Sequence, residues 1–316
     1  MLFRSVGDNQ GNQFVSKLYT NLYQGTVSYP FSRIKSLRFN AAFRSDNIVI
    51  LADDLNFPPS TLKAEDIKSH YALLHVEYVY DDAITPAQNI WNGLRYKFYL
   101  DWNYRLKQTG SGDNPYTFNI GGDARHYYPI YRNLIWAVRG AFDISWGPQK
   151  LIYYLGGVDN WLFPKFIDAN KPSPDADYAF QSLAVNLRGY KQNAANGNNA
   201  VVINSEIRLP VFATLLNRPI NNAFLRNFQF VQFLDFGTAW NGAYKKIQRP
   251  SVLYSTPGNP VIVKIKAGGI GPFAGGYGFG ARSVLLGYFL RFDAGWGMNG
   301  FFKGKPIMYL SMGFDF

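Results

Sequence analysis

Between Leu94 and Leu106 the chain alternates without a break. Leu94, Tyr96, Phe98, Leu100, Trp102, Tyr104 and Leu106 share one face of any extended strand, while Arg95, Lys97, Tyr99, Asp101, Asn103 and Arg105 share the other. Successive strand residues point to opposite faces, and thirteen of them span roughly 40 Å. That is about twice the length of a typical strand in a soluble sandwich. A strand crossing a bilayer at a tilt needs about ten residues in which lipid-facing apolar side chains alternate with polar ones. The pattern predicts a transmembrane β-barrel strand.

The same period returns along the chain. Leu134, Trp136, Val138, Phe142, Ile144 and Trp146 alternate with Arg139, Asp143 and Ser145, with Ile135 and Ala137 as lapses. Val201, Ile203, Ile207 and Leu209 oppose Val202, Asn204, Glu206 and Arg208, and Tyr288, Leu290, Phe292, Ala294 and Trp296 oppose Arg291, Asp293, Gly295 and Gly297. Weaker repeats run through 37–43, 74–80, 116–125, 228–237 and 308–316, with a first strand within 18–29 and a Gly-rich one at 275–285. The expected fold is all-β, a transmembrane antiparallel β-barrel of about eleven strands forming one domain over residues 1–316.

Composition fits a barrel wall. Mean hydropathy is −0.16, and no segment holds the roughly 18 consecutive apolar residues of a membrane helix. The 22 Tyr and 26 Phe suit lipid-facing positions and interfacial girdles. Cysteine is absent, which removes disulfide frameworks and Cys-based metal sites or nucleophiles. The net charge of +11 is spread over alternating strand positions and loops rather than gathered in a docking motif. It therefore points away from nucleic acid and toward outer-membrane lipids and lipopolysaccharide.

Link lengths mostly alternate, as turns and loops do on the two sides of a membrane. Short or moderate links fall at 30–34, 82–92, 128–133 and 285–287, and longer ones at 46–70, 107–115, 148–199, 241–274 and 298–306; segment 211–226 breaks the alternation. If the last strand ends in the periplasm, the long set is extracellular. An odd strand count leaves an edge in lipid with unpaired backbone groups, and the opening residues lack the pattern of a signal peptide. Both lead to the expectation of a barrel truncated at its N-terminus.

The link at 148–199 carries Leu155-Gly156-Gly157-Val158-Asp159-Asn160-Trp161 and then Leu187-Arg188-Gly189-Tyr190. Asn204-Ser205-Glu206-Ile207-Arg208-Leu209-Pro210 and Phe233-Leu234-Asp235-Phe236-Gly237 follow. This order resembles the BamA and TamA type superfamily of outer-membrane barrel insertases and translocases, whose members include bacterial surface antigens. In that family a long sixth extracellular loop folds into the lumen and carries a V/L-R-G-F/Y tip, five strands follow, and the chain ends on an aromatic residue. Leu187, Arg188, Gly189 and Tyr190 match the tip, five strands follow it, and Phe316 is last. The resemblance covers most of the chain and implies strands six to sixteen of a sixteen-stranded barrel, the remainder and any periplasmic POTRA domains lying upstream.

By the period-two count Glu206 and Asp235 fall on the lumen side of adjacent strands, where their carboxylates can converge. An Arg delivered there by the loop would make charge-assisted hydrogen bonds, bidentate where its fork meets one carboxylate. The resemblance implies that this Arg is Arg188. In the last strand Tyr309, Ser311, Phe314 and Phe316 resemble the C-terminal signal of barrel proteins, although Ser311 stands where that signal often has Gly. In insertases such a strand forms one lip of a lateral seam.

Other motifs are bland. Gly275-Gly276-Tyr277-Gly278-Phe279-Gly280 lacks the Lys-Ser/Thr of a phosphate loop and suits a wall making room for a plug, a bend or the returning loop. His70, His75 and His126 have no metal-site spacing, and Asp81 and Asp82 are expected to cap a turn. Neither G-x-S-x-G nor H-E-x-x-H occurs. The expected role is non-enzymatic, without metal or cofactor: assembly or translocation of client outer-membrane or secreted proteins in the outer membrane of a Gram-negative bacterium, with periplasmic or lipoprotein accessory subunits. The alternatives are a passive porin-like channel and a barrel that anchors, or serves as the secretion route of, an enzyme domain encoded upstream.

Overall fold

The computed structural model describes residues 2–7, 13–50, 65–108, 115–167, 170, 178–216, 219–243, 249–255, 262–300 and 302–314. All eleven expected segments are strands, with a short one ahead of them. In chain order the wall consists of β1 (Leu2–Gly7), β2 (Gln13–Pro30), β3 (Lys35–Ile50), β4 (Ile67–Asp81), β5 (Ile90–Gln108) and β6 (Tyr116–Tyr131). It continues through β7 (Leu134–Trp146), β8 (Asn199–Pro210), β9 (Gln229–Trp240), β10 (Phe273–Leu285), β11 (Tyr288–Gly297) and β12 (Ile307–Met312). Each strand pairs antiparallel with the next. This is an up-and-down sheet, the arrangement that short turns between antiparallel neighbours produce.

Register sorts the side chains onto two faces. On the outer face Tyr78 pairs with Phe98, Val76 with Leu100 and Leu74 with Trp102, and the rings of Trp102, Phe118 and Trp146 stack at centroid distances of 6.3 and 5.7 Å. Phe98, Trp136, Ile203 and Phe292 remain exposed there. So extensive an apolar surface is tolerable only against lipid or a partner. The inner face carries the charged and polar set. No described helix is long and apolar enough to cross a membrane.

Three links hold more structure than their length suggested. Segment 211–226 contains two short helices, α1 (Val211–Leu215) and α2 (Ala223–Arg226), the second capped by the Asn222 side chain accepting from Leu225 N–H at 3.1 Å. Segment 241–274 contains a hairpin of Ser251–Ser255 and Ile262–Lys266. The turn at 82–92 folds under the wall. Asp81 and Asp82 accept from the Ala83 and Leu94 N–H groups at 3.2 and 2.6 Å, and Asn89 reaches across to Gln229 at 3.0 Å. Ile90 from this turn packs with Tyr127, Ile135 and Ala137, so the two lapses in the β7 pattern are the inner-face seat of that turn.

Within the link at 148–199, residues 150–155 lie against the inner face. Lys150–Leu155 pairs parallel with Tyr178–Val185 and antiparallel with Ala195–Gly197. Its Leu151, Tyr153 and Leu155 form one buried cluster with Leu187 and Tyr190 of the loop and Ala200, Val202, Ala239 and Ala274 of the wall. Burying a Leu side chain fully contributes about 1.5–3 kcal/mol. Leu155 and Leu187 are both wholly buried, so the loop is held by a small apolar core of its own.

Candidate functional site

The tip of the loop is docked against β8 and β9. Asn204 pairs with Asp235 and Glu206 with Phe233 across these strands, so the carboxylates of Glu206 and Asp235 stand two residues apart on one inner face. Arg188 enters between them. Its Nε and Nη2 donate to Asp235 Oδ2 and Oδ1 at 2.7 and 2.8 Å, a bidentate fork. Nη1 donates to Glu206 Oε1 at 2.5 Å, and the Arg188 backbone N–H donates to Asp235 Oδ2 at 3.1 Å. The guanidinium lies over the Phe233 ring, 3.8 Å from its centroid.

The site is dry. Arg188, Glu206 and Asp235 are 5%, 1% and 0% exposed. Burial opposes the charge on Arg188, but Asp235 and Glu206 outweigh it and hold the guanidinium well above its ordinary pKa. The second oxygen of Glu206 accepts from Arg208 Nε at 2.8 Å, and a neighbouring buried pair joins Arg282 to Asp293 at 2.8 Å. Buried charges survive only when paired. Arg208 is the member of this set that the sequence reading passed over, although its place two residues after Glu206 puts it on the same face.

Backbone approach completes the dock. A side chain at Gly276 would strike the Arg188 carbonyl, and one at Gly295 would press on the Gly189 backbone. The Gly-rich run in β10 thus clears space for the returning loop, as its composition suggested. Gly189 itself has φ +91, a conformation that side chains rarely adopt. Leu187 forms a bridge with Gly157, and the Tyr190 hydroxyl lies 3.0 Å from the carbonyls of both Gly268 and Gly275.

The last strand joins the site. Tyr309, singled out in sequence only as part of a terminal signal, is wholly buried on the inner face. Its hydroxyl accepts from Gly189 N–H at 2.9 Å and donates to the Tyr190 carbonyl at 2.8 Å. Ser311 is also inward and buried, whereas Phe314 is exposed and rests on Phe289 at 5.0 Å; Phe316 lies outside the described residues. A second polar chain ties the loop to the wall: Tyr153 donates to Asn119 at 2.6 Å, and Asn119 to Asp101 at 3.0 Å. No group of three His, Cys, Asp or Glu side chains among the described residues could hold a metal.

No protein-family model and no curated protein matches the sequence. Similar solved structures do exist. BamA from Haemophilus ducreyi lacking POTRA domains 1–3 aligns with a TM-score of 0.53 at 14% identity, covering 95% of this chain and 54% of that one. CdiB from Acinetobacter baumannii aligns with a TM-score of 0.50 at 13% identity, over 98% of this chain and 45% of that one. For CdiB from Escherichia coli the values are 0.50, 13%, 98% and 48%. The chain thus spans about half the length of the structures it matches. Its fold is that of the BamA and CdiB barrels.

Proposed function

We propose that this chain is the barrel of an outer-membrane assembly or translocation factor of a Gram-negative bacterium, acting on client outer-membrane or secreted proteins. The observation that carries the reading is the buried Arg188 tip, gripped by Glu206 and Asp235 beneath a wall cleared by Gly276. A loop needing only to narrow a pore has no use for a dry, four-charge dock. The dock instead fixes where a long inner loop sits while the wall around it moves, a specificity role that suits buried ion pairs better than net stabilisation does. The work would come from local bilayer thinning and an openable seam, without nucleotide, metal or catalytic residue.

The porin-like alternative is less well supported, because Leu151, Tyr153 and Leu155 of the loop fill the inner face beside β8 and β9. Outer-membrane lipids, lipopolysaccharide and accessory periplasmic or lipoprotein subunits are the further partners this reading implies.

Depletion of the full-length protein in its native cell, followed by quantification of the outer-membrane proteome, tests the proposal. Broad or selective loss of other barrel or surface proteins is expected. An unchanged proteome with altered solute uptake would overturn it in favour of a channel. In the same cells Arg188→Ala should loosen the loop and impair assembly while the barrel still integrates.

A further inference from the structure

The link between β11 and β12 folds back over the lipid side of the wall. Met298 N–H donates to the Gly275 carbonyl at 2.8 Å, and a side chain at Gly275 would strike the Met298 sulfur and press on the Phe236 ring. Gly275 and Phe236 oppose one another with the same outward parity as Tyr277 and Leu234. The Tyr277 hydroxyl pins the link there, donating to the Gly300 carbonyl at 3.0 Å and accepting from Phe302 N–H. The Trp296 indole donates to the Gly304 carbonyl at 3.2 Å. The Phe302 ring stands edge-on to Trp296 and Tyr277, with centroids 5.0 and 5.6 Å away. Between link and wall lies a groove of about 440 Å³, lined by Gln232, Leu234, Tyr277, Met298 and Gly300.

We infer that this groove takes an acyl chain of lipopolysaccharide, the phosphorylated glycolipid of the outer leaflet, and that Lys303 and Lys305 hold its phosphates. This gives the lipid partner of the proposed function a site, and rests on the membrane placement made there rather than on client handling. Depth supplies the first argument. Irregular backbone does not face lipid within the hydrocarbon, and Trp and Tyr gather at its border. The Gly300 and Gly304 carbonyls, with Tyr277 and Trp296, therefore mark the head-group level on the side of the long links. Leu234 lies opposite Tyr277, and Gln232 opposite Phe279 is one step further from that border, so the groove runs from head groups into acyl chains. Its volume falls within the range of about 300–1,000 Å³ usual for ligand sites.

Charge supplies the second argument. Lys303 and Lys305 are exposed. Links 241–274 and 298–306 together hold seven Lys and Arg and no Asp or Glu, whereas every other long link carries at least one Asp. The two basic links meet where Gly268 packs on the Met298 carbonyl. A rim of one sign beside an apolar groove matches a lipid with an anionic head. The third argument is Gln232, an exposed amide turned outward between Phe230 and Leu234. A polar group at acyl depth needs a hydrogen-bond partner, which the ester and amide linkages of the acyl chains supply. β9 and β10 are paired along both edges, so the groove belongs to the wall itself.

Full-length protein in mild detergent is titrated with lipid A and, separately, with phosphatidylglycerol, and bound lipid is counted by native mass spectrometry. Wild type should bind one lipid A at least about tenfold more tightly than phosphatidylglycerol. Lys303→Ala with Lys305→Ala should weaken lipid A at least about tenfold, and Leu234→Trp, which fills the groove from an outward position, at least about fivefold. Equal binding of lipid A by wild type and both variants would overturn the site, and so would a preference for phosphatidylglycerol. Gln232→Leu gives that position the apolar character of its outward neighbours and keeps the test open if another variant misfolds. Lipid A binding should then fall at least about threefold, and unchanged binding would overturn the inference. Assembly of a denatured client barrel in vesicles separates the two readings. Selective lipid A binding without client assembly would sustain the site and sink the assembly function, and client assembly without lipid A selectivity would do the reverse.

Discussion

β2 and β8 obey the same alternation, yet their residues meet opposite surroundings. From Tyr19 to Pro30 the β2 strand is exposed on both faces, while along β8 every second residue is buried, from Val202 through Asn204 and Glu206 to Arg208. Among the described residues Tyr19–Pro30 is paired only with β3, whereas β8 is paired on both sides and is also covered by the loop that returns over β8 and β9. The ion pairs follow the surroundings. Arg38 meets Glu77 at 3.3 Å with half of the Arg side chain in solvent, beside an inner-face cavity of about 300 Å³ lined also by Arg95, Lys97 and Arg125. Such an open pair is worth about 0–1 kcal/mol. Arg188 sits in a closed dock where each partner is sequestered. One half of the wall is a solvated polar lining, and the other is an interface between wall and loop.

The sharpest way to break this contrast is Asp235→Ala. Removing one partner of a sequestered pair costs about 3–5 kcal/mol, so unfolding in denaturant should shift strongly and backbone amides at 186–197 should lose hydrogen-exchange protection. Arg38→Ala, in the open half, should stay within about 1 kcal/mol, since the Arg side chain is half in solvent and Glu77 keeps Lys97 at 3.4 Å; equal costs would show that the two halves are alike. Next comes Gly276→Val, which pushes the Arg188 backbone off β10. Overpacking of this kind costs about 1–3 kcal/mol. Combined with Asp235→Ala its effect should be less than additive, since both release the same tip, and full additivity would mean that they act on separate elements.

Tyr309→Phe keeps the ring against Trp161 but removes both bonds to the tip. Its cost should be about 1–3 kcal/mol, mainly from the Gly189 N–H left without its partner, and exchange at Gly189 should report it directly. The smallest effect is expected for Gln24→Ala on exposed β2, within about 0.5 kcal/mol. A larger loss there would reveal a covering on that half of the wall.

Much of the wall was legible because a period of two is a strong signal when one face meets lipid and the other does not. Glu206 and Asp235 were legible for the same reason, their face following from position parity and their partner from the Leu187–Tyr190 motif. Local alternation could not show that Ile135 and Ala137 seat the turn at Ile90, since an inner-face apolar residue reads as an error until its distant partner is placed. Nor could it show that Tyr309 clamps a backbone 119 residues earlier, or that Trp161 leaves the loop to pair with β12.

The sequence by itself therefore determined the strands, their faces and the charges able to meet, because these depend on neighbours within a few residues. Only the tertiary structure decided which inner face is dry, where the loop bends to reach an edge, and which glycines are gaps rather than flexible joints. Those properties depend on what the chain brings back from far along its length, and a burial or a close approach exists only when both partners are in place.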